Sequence, residues 1–354
     1  MVDNKTDCTY NRSCYRCCRE KAMREVFAGV DVGGTRIKIG LADRSGQLIS
    51  CKFLETAGCH DTETFLETVA AEIETQAKAA SVTVEAAGIG CPGRIDFTSG
   101  RIVWLRSKLE FLEGVPLALR LGERLACPVV CDNDVNTILA GEMRFGAGRG
   151  CRDVVVAITV GTGIGGALAF GGRMVRGHNW AAGHFGYMSQ DPHGDRHVCG
   201  NTGIVEEYAS QSGILLQVRR AWEAGEVSPL TELLACGKEP GLRELFQAAD
   251  AGDAVGRRLT ERLTFELGAL IANLIYALDP ELVLVGGSIV NHRPSILDAV
   301  RREVAGRLDY LPQDATEILP MALGDAAGVL GGAALAMDAT TQTEQGPRAQ
   351  GEEK

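Results

Sequence analysis

Twice along the chain an apolar run is broken by a short glycine turn and resumes at once. The first is VFAGVDVGGTRIKIGLAD, from position 26, and the second is DVVVAITVGTGIGGALAFGG, from position 153. Each reads as two strands joined by a tight turn, and a Ser-Gly turn after the first leads into a third strand, giving a β-meander. A helix is predicted over 62–80, where Phe65, Leu66, Val69 and Ile73 recur at three- and four-residue steps. A strand follows in VEAAGIGCPG, then a helix over 117–126, a buried strand with a polar end in CPVVCDND, and a helix over 135–145. The first half thus reads βββαβα. The same order begins again at the second glycine turn, which points to an internal duplication. Residues 253–278 form the longest helical segment, ending at Asp-Pro before a strand in ELVLVGG. The closing GDAAGVLGGAALAMD is a helix of small residues able to pack tightly against a neighbour. With 354 residues, 45% of them hydrophobic, the chain is long enough for two α/β domains.

Several function classes are disfavoured at this point. A net charge of -10 argues against a general phosphate-backbone binder, whose affinity comes from clustered Lys and Arg. Neither a membrane-spanning run nor an apolar signal core is present, so a cytoplasmic protein is expected, with its twelve Cys as reduced thiols. Four of these, Cys8, Cys14, Cys17 and Cys18, lie in a polar leader without hydrophobic period. A small metal knuckle is open there. A disordered leader, or an over-long start with Met23 as the first residue, fits better, because no second CxxC follows downstream to complete a ligand set. The tail after Met337 also reads as disordered.

The two glycine turns, DVGGT at 31–35 and TVGTGIGG at 159–166, suggest phosphate chemistry. Glycine lets backbone N–H groups come close to an anion, so a pair of such hairpins can clamp a polyphosphate. Either one alone is equally a plain chain reversal. Gly161, Gly163 and Gly166 also satisfy GxGxxG, but that dinucleotide fingerprint must open a helix and needs an acid about twenty residues on. Here a strand continues, and no Asp or Glu occurs between Gly166 and Asp191. No GxxxxGK[ST] loop is present either. Asp134, in CDNDVN, falls at a strand's carboxyl edge, where open α/β sheets bind ligands, and its residue type equally suits a helix N-cap.

Taken in order, DVGGT, CPG, NDVN with Glu142, GTGIGG, a His-rich stretch and LVLVGG resemble the ROK family of sugar kinases and related repressors, within the actin-like ATPase superfamily. The likeness runs from about Val26 to Met337. It implies two actin-like (ribonuclease H-like) domains, each a mixed sheet with helices, and a cleft between them that takes ATP, Mg²⁺ and a sugar. The small domain would span 26–131 and receive the closing helix, 324–338; the large one would span 132–323, leaving 1–25 as leader and 339–354 as tail. By the same resemblance Asp31, Gly33, Gly34, Thr35 and Lys38 form the first phosphate site, with Asp31 facing the Mg²⁺ shell, and Gly161, Thr162 and Gly163 form the second. Gly286 and Gly287 leave room for the purine and ribose. Asn133 orients the sugar and Asp134 accepts the proton of the attacking hydroxyl. A homodimer is usual in such a family.

The stretch AAGHFGYMSQDPHGDRHVCGNTGIVEE departs from the family pattern. Members usually carry AGExGH and CxCGxxGCxE, with one His and three Cys on a structural zinc. Here His184 replaces the first Glu, Tyr187 the zinc His, His197 and Cys199 the first two Cys, and Ile204 the third, while Glu206 keeps its sugar-contact identity. Two of four ligand positions are lost, so no zinc is expected at the usual place. A rearranged site on His193, His197, Cys199 and His184 stays open. His184 and Lys108, which stands where the family often has Asn, add donor character near the sugar, so an acidic or N-acetylated sugar stands beside plain glucose as the substrate. The rivals are a sugar-sensing regulator, for which the residues before DVGGT are too few to hold a winged helix, and a catalytically weak binding protein.

Overall fold

The computed structural model describes residues 25–106, 109–312 and 315–344. The expectations for leader positions 1–24, for Lys108 and for tail positions 345–354 lie outside these residues.

Two five-stranded mixed sheets make up the body of the fold. In the first, β1 (Val26–Val32), β2 (Arg36–Asp43) and β3 (Leu48–Glu55) form the antiparallel meander, and β4 (Val84–Cys91) and β7 (Val129–Asn133) add parallel strands. In the second, β8 (Val155–Val160), β9 (Ile164–Phe170) and β10 (Arg173–Met174) repeat the meander, and β11 (Leu282–Gly286) and β12 (Glu317–Pro320) repeat the parallel pair. The duplication is therefore one of topology as well as of sequence pattern. This is an α/β fold of two sheets with packed helices, the architecture expected.

Local signals explain most element ends. The helix Thr62–Ala80 starts where Asp61 accepts from the backbone N–H of Thr64 at 2.8 Å, stops at a left-handed Ser81, and buries Phe65, Leu66, Val69 and Ile73 as its period requires. The longest helix, Ala254–Leu278, is capped by Asp253. One element departs from the βββαβα reading: a hairpin of β5 (Arg94–Asp96) and β6 (Arg101–Trp104) follows β4. Strands of three and four residues carry too little alternation to stand out.

The closing helix, Ala327–Glu344, lies across β1, β4 and the helix Asp134–Phe145. Contact is so close that side chains are excluded: a Cβ on Gly88 would sit 2.0 Å from the Gly332 carbonyl oxygen, and one on Gly331 2.0 Å from that of Thr137. The helix also runs past the expected boundary at 338, so 339–344 is helical where a disordered tail was expected. There Arg144 holds Asp338 at 2.7 Å, and the hydroxyls of Thr340 and Thr341 donate to the Met337 carbonyl. No described helix is long and apolar enough to cross a membrane.

Candidate active site

Asp31, next to last in β1, lies opposite Lys38 of β2 and Gly90 of β4. Its carboxyl is raised above the ordinary range by burial, and Lys38, with Nζ 3.9 Å away, pulls it partly back. Lys38 also donates to the Asp325 carbonyl at 3.0 Å, ahead of the closing helix. Between the strands, Gly33 N–H donates to the Arg36 carbonyl at 2.9 Å. Gly34 faces open space, where an added methyl would touch nothing. Thr56, which sequence reasoning missed, pins the turn from below: its N–H donates to the Thr35 carbonyl and its hydroxyl to that of Gly33.

Asp134 opens the helix Asp134–Phe145, but it is Asn133 that caps it, accepting from the N–H groups of Val135 at 2.9 Å and Asn136 at 3.3 Å. The cap reading of Asp134 is thereby corrected: its carboxylate takes the N–H of the adjacent Val135, at 3.0 Å, and not those of the first turn that a cap would take. Burial first, and the charge of Asp31 second, push its pKa up to about 6, against hydrogen bonds from Val135 and Asn133. Asn133 is less free than expected, since its amide also donates to the Gly93 carbonyl at 3.0 Å.

The second glycine turn is closed by Gly161 N–H to the Gly163 carbonyl, 2.9 Å. Glu206, expected at the sugar, spends Oε2 on the N–H of Ile164 at 2.7 Å, and a Cβ on Gly163 would lie 2.4 Å from that oxygen. Gln211 and Ser212 donate backbone N–H groups to the carbonyls of Gly161 and Thr162. Gly287 has φ +89°, a region that favours glycine, and leaves no room for a side chain against the Val160 carbonyl. Gly286 packs under Met321. Gly165 in turn abuts Val135, the neighbour of Asp134. The structure thus brings together Asp31, Asp134, both glycine turns and Gly286-Gly287.

In the His-rich stretch, the His184 ring lies 5.9 Å from that of Tyr187, which lies 5.8 Å from His197. Nδ1 of His184 is buried without a partner. His193 and Cys199 are exposed, and His197 Nδ1 accepts from the Cys199 N–H at 3.2 Å. Ile204 is fully buried and bridges to Ser189. Among the described residues no three His, Cys, Asp or Glu side chains converge as metal ligands. With an apolar Ile204 and a phenol at two of the four positions, this donor set does not fit a tetrahedral zinc.

The ROK family profile matches residues 27–339. The chain belongs to the ROK family. This ROK chain is 30% identical over 328 residues to a glucokinase of Halalkalibacterium halodurans, covering 90% of this chain and 97% of that one. A ROK hexokinase from Thermus thermophilus superposes with a TM-score of 0.76 at 29% identity, covering 89% and 99% of the two chains. A ROK family glucokinase from Streptomyces griseus, solved with glucose and AMPPNP, gives 0.73 at 30% identity over 88% and 99%.

Sequence reasoning also passed over two buried acids of this ROK chain. Glu142, noted only as part of a motif, is fully buried and accepts from the N–H groups of Ala147, Ala322 and Leu323 at 2.8, 3.1 and 2.8 Å, tying the Asp134 helix to the segment that leads into the closing helix. Asp132 closes the apolar strand β7. An acid at the end of a buried strand needs partners, and that was the available signal.

Proposed function

We propose that this chain transfers the γ-phosphoryl group of ATP to a hydroxyl of a hexose, with Asp134 as general base. That it is an ATP-dependent carbohydrate kinase follows from its family and from relatives of the same length that are glucokinases, one of them solved with glucose and AMPPNP. The observation that carries the finer reading is geometric: the half-buried carboxyl of Asp134 sits at the start of its helix, close enough to Asp31 to feel its charge and next to Val135, which packs on Gly165 of the second turn, and its pKa of about 6 agrees with that role. A base so tuned is ionised at neutral pH yet basic enough to take the hydroxyl proton as the bond to phosphorus forms. Gly33, Gly34 and Thr35 on one side, and Gly161, Thr162 and Gly163 on the other, would approach the phosphates with backbone N–H groups, and Lys38 would add charge. Gly286 and Gly287 would leave space for the nucleoside. Asp31, a half-buried carboxylate with one cation at 3.9 Å, fits a divalent ion; bound there, Mg²⁺ would neutralise charge on the phosphates.

The buried, unpartnered Nδ1 of His184 favours a second reading of the substrate, a sugar bearing an acidic or N-acetyl group that this ring could meet. A coupled ADP-release assay with Mg-ATP against glucose, mannose, fructose, allose, N-acetylhexosamines and sugar acids tests both. Turnover on one sugar that vanishes in Asp134→Asn supports the kinase and its base. Silence across the panel with ATP still bound would count against the hexose.

A further inference from the structure

The residue ahead of Asn133 and Asp134 is a carboxylate whose partners span both sheets. Asp132 is 1% exposed. Its Oδ1 accepts from the backbone N–H of Asn133 at 2.8 Å and from the Asn136 side-chain amide at 3.0 Å. Its Oδ2 accepts from two nitrogens of Arg176, Nε and Nη2, both at 2.8 Å. Arg176 follows β10, at the edge of the second sheet. Its guanidinium also stacks on Phe97, in the turn of the β5–β6 hairpin, with Cζ 3.5 Å from the ring centre. One side chain therefore ties the second sheet to the end of β7 and to the hairpin beside it.

We propose that Arg176 is a positioning residue for phosphoryl transfer: through Asp132 it holds the strand end that carries Asn133 and Asp134 against the second sheet, so that the base keeps its aim. The inference rests on Asp134 being that base. The Asn133 N–H and the Asn136 amide lean on the carboxylate that Arg176 grips, and Asn133 in turn caps the helix that begins at Asp134. Turning the Asp132 carboxylate moves these contacts together. Arginine suits the place because its planar group presents two donors to one oxygen while its face lies on an aromatic ring, which a lysine cannot do.

The test compares R176Q, R176K, D132N, the R176Q/D132N double variant and D134N in steady-state kinetics on the sugar the panel identifies, with thermal melts alongside. In R176Q and D132N, kcat per folded enzyme should fall about tenfold to a hundredfold, the scale set by small misalignments. KM for ATP should stay within about twofold, since the phosphate turns are untouched. R176K, which restores the charge without the fork, should regain part of kcat. The double variant should be no slower than the slower single one, because the two side chains act as a unit. D132N keeps the shape of the side chain and serves as the readout if R176Q does not fold. Wild-type kcat in the folded single variants overturns the proposal, as does a double variant whose losses multiply. Activity surviving in D134N sinks the base reading whatever R176Q does, whereas a silent D134N beside a fast R176Q sinks this inference alone.

Discussion

Replacing Asp134, the proposed base, should stabilise the protein while disabling it. Burial raises the folded-state pKa of Asp134 from an ordinary value near 3.8 to about 6, so the fold prefers the protonated form. The stability tied to that group is complete below the ordinary value and is lost as pH rises through about 6. At pH 8 the charged carboxylate costs about 3 kcal/mol, being about two pH units at 1.36 kcal/mol each. Asparagine keeps an oxygen for the Val135 N–H but gives up a negative charge at a helix start, worth about 0.5 kcal/mol. Asp134→Asn should therefore gain about 2 kcal/mol at pH 8, several degrees in Tm at about 2–4 °C per kcal/mol. By pH 5 the gap should shrink to about half, because wild-type Asp134 is by then mostly protonated. In the same preparations kcat should drop about 10²- to 10⁴-fold in the variant, and wild-type kcat should decline as pH falls below about 6. Melts of ligand-free protein at both pH values read the first part. A variant no more stable than wild type at pH 8, or a gap that ignores pH, would refute the assignment of a desolvated, destabilised carboxylate.

Gly34→Ala should leave Tm unchanged, because nothing lies within 4 Å of the added methyl, yet raise KM for ATP about tenfold if phosphate approaches that turn; an unchanged KM would remove the turn from the site. Gly163→Ala should cost both stability and ATP affinity, as the methyl displaces the Glu206 carboxylate from Ile164, and isothermal titration with AMPPNP would measure the second. Glu142→Ala should destabilise by about 3 kcal/mol or more by stranding three backbone N–H groups, with Glu142→Gln retaining most of that in chemical denaturation; equal losses would show that acceptor oxygens are not what matters. Purified protein should carry no stoichiometric zinc by elemental analysis, and zinc that disappears in His197→Ala would reinstate a rearranged site.

Short-range pattern made much of this molecule legible in the sequence. The period of Phe65, Leu66, Val69 and Ile73 located a helix whose ends fall at 62 and 80, and the glycine turns marked both meanders. The β5–β6 hairpin was too short to declare itself, and the closing helix runs on to Glu344 through residues whose composition suggested disorder. Residue type at an expected position also did not disclose the structural bonds a side chain makes: Asn133 and Glu206 spend hydrogen bonds on the fold at places where sugar contact was expected.

Periodicity and turn chemistry, properties of neighbours in the chain, sufficed for the α/β elements and the two glycine turns, while motif order, through its resemblance to the ROK family, pointed to the two-domain fold and singled out Asp134. Only the tertiary structure decided that Asn133 rather than Asp134 caps the helix, that Asp31 and burial together lift the Asp134 pKa, and that Arg176 reaches across from the second sheet to Asp132. The physical reason is distance along the chain. Propensities and hydrophobic period act over a few residues, whereas desolvation, close glycine packing and a buried ion pair spanning forty-four positions exist only once remote segments have been brought together.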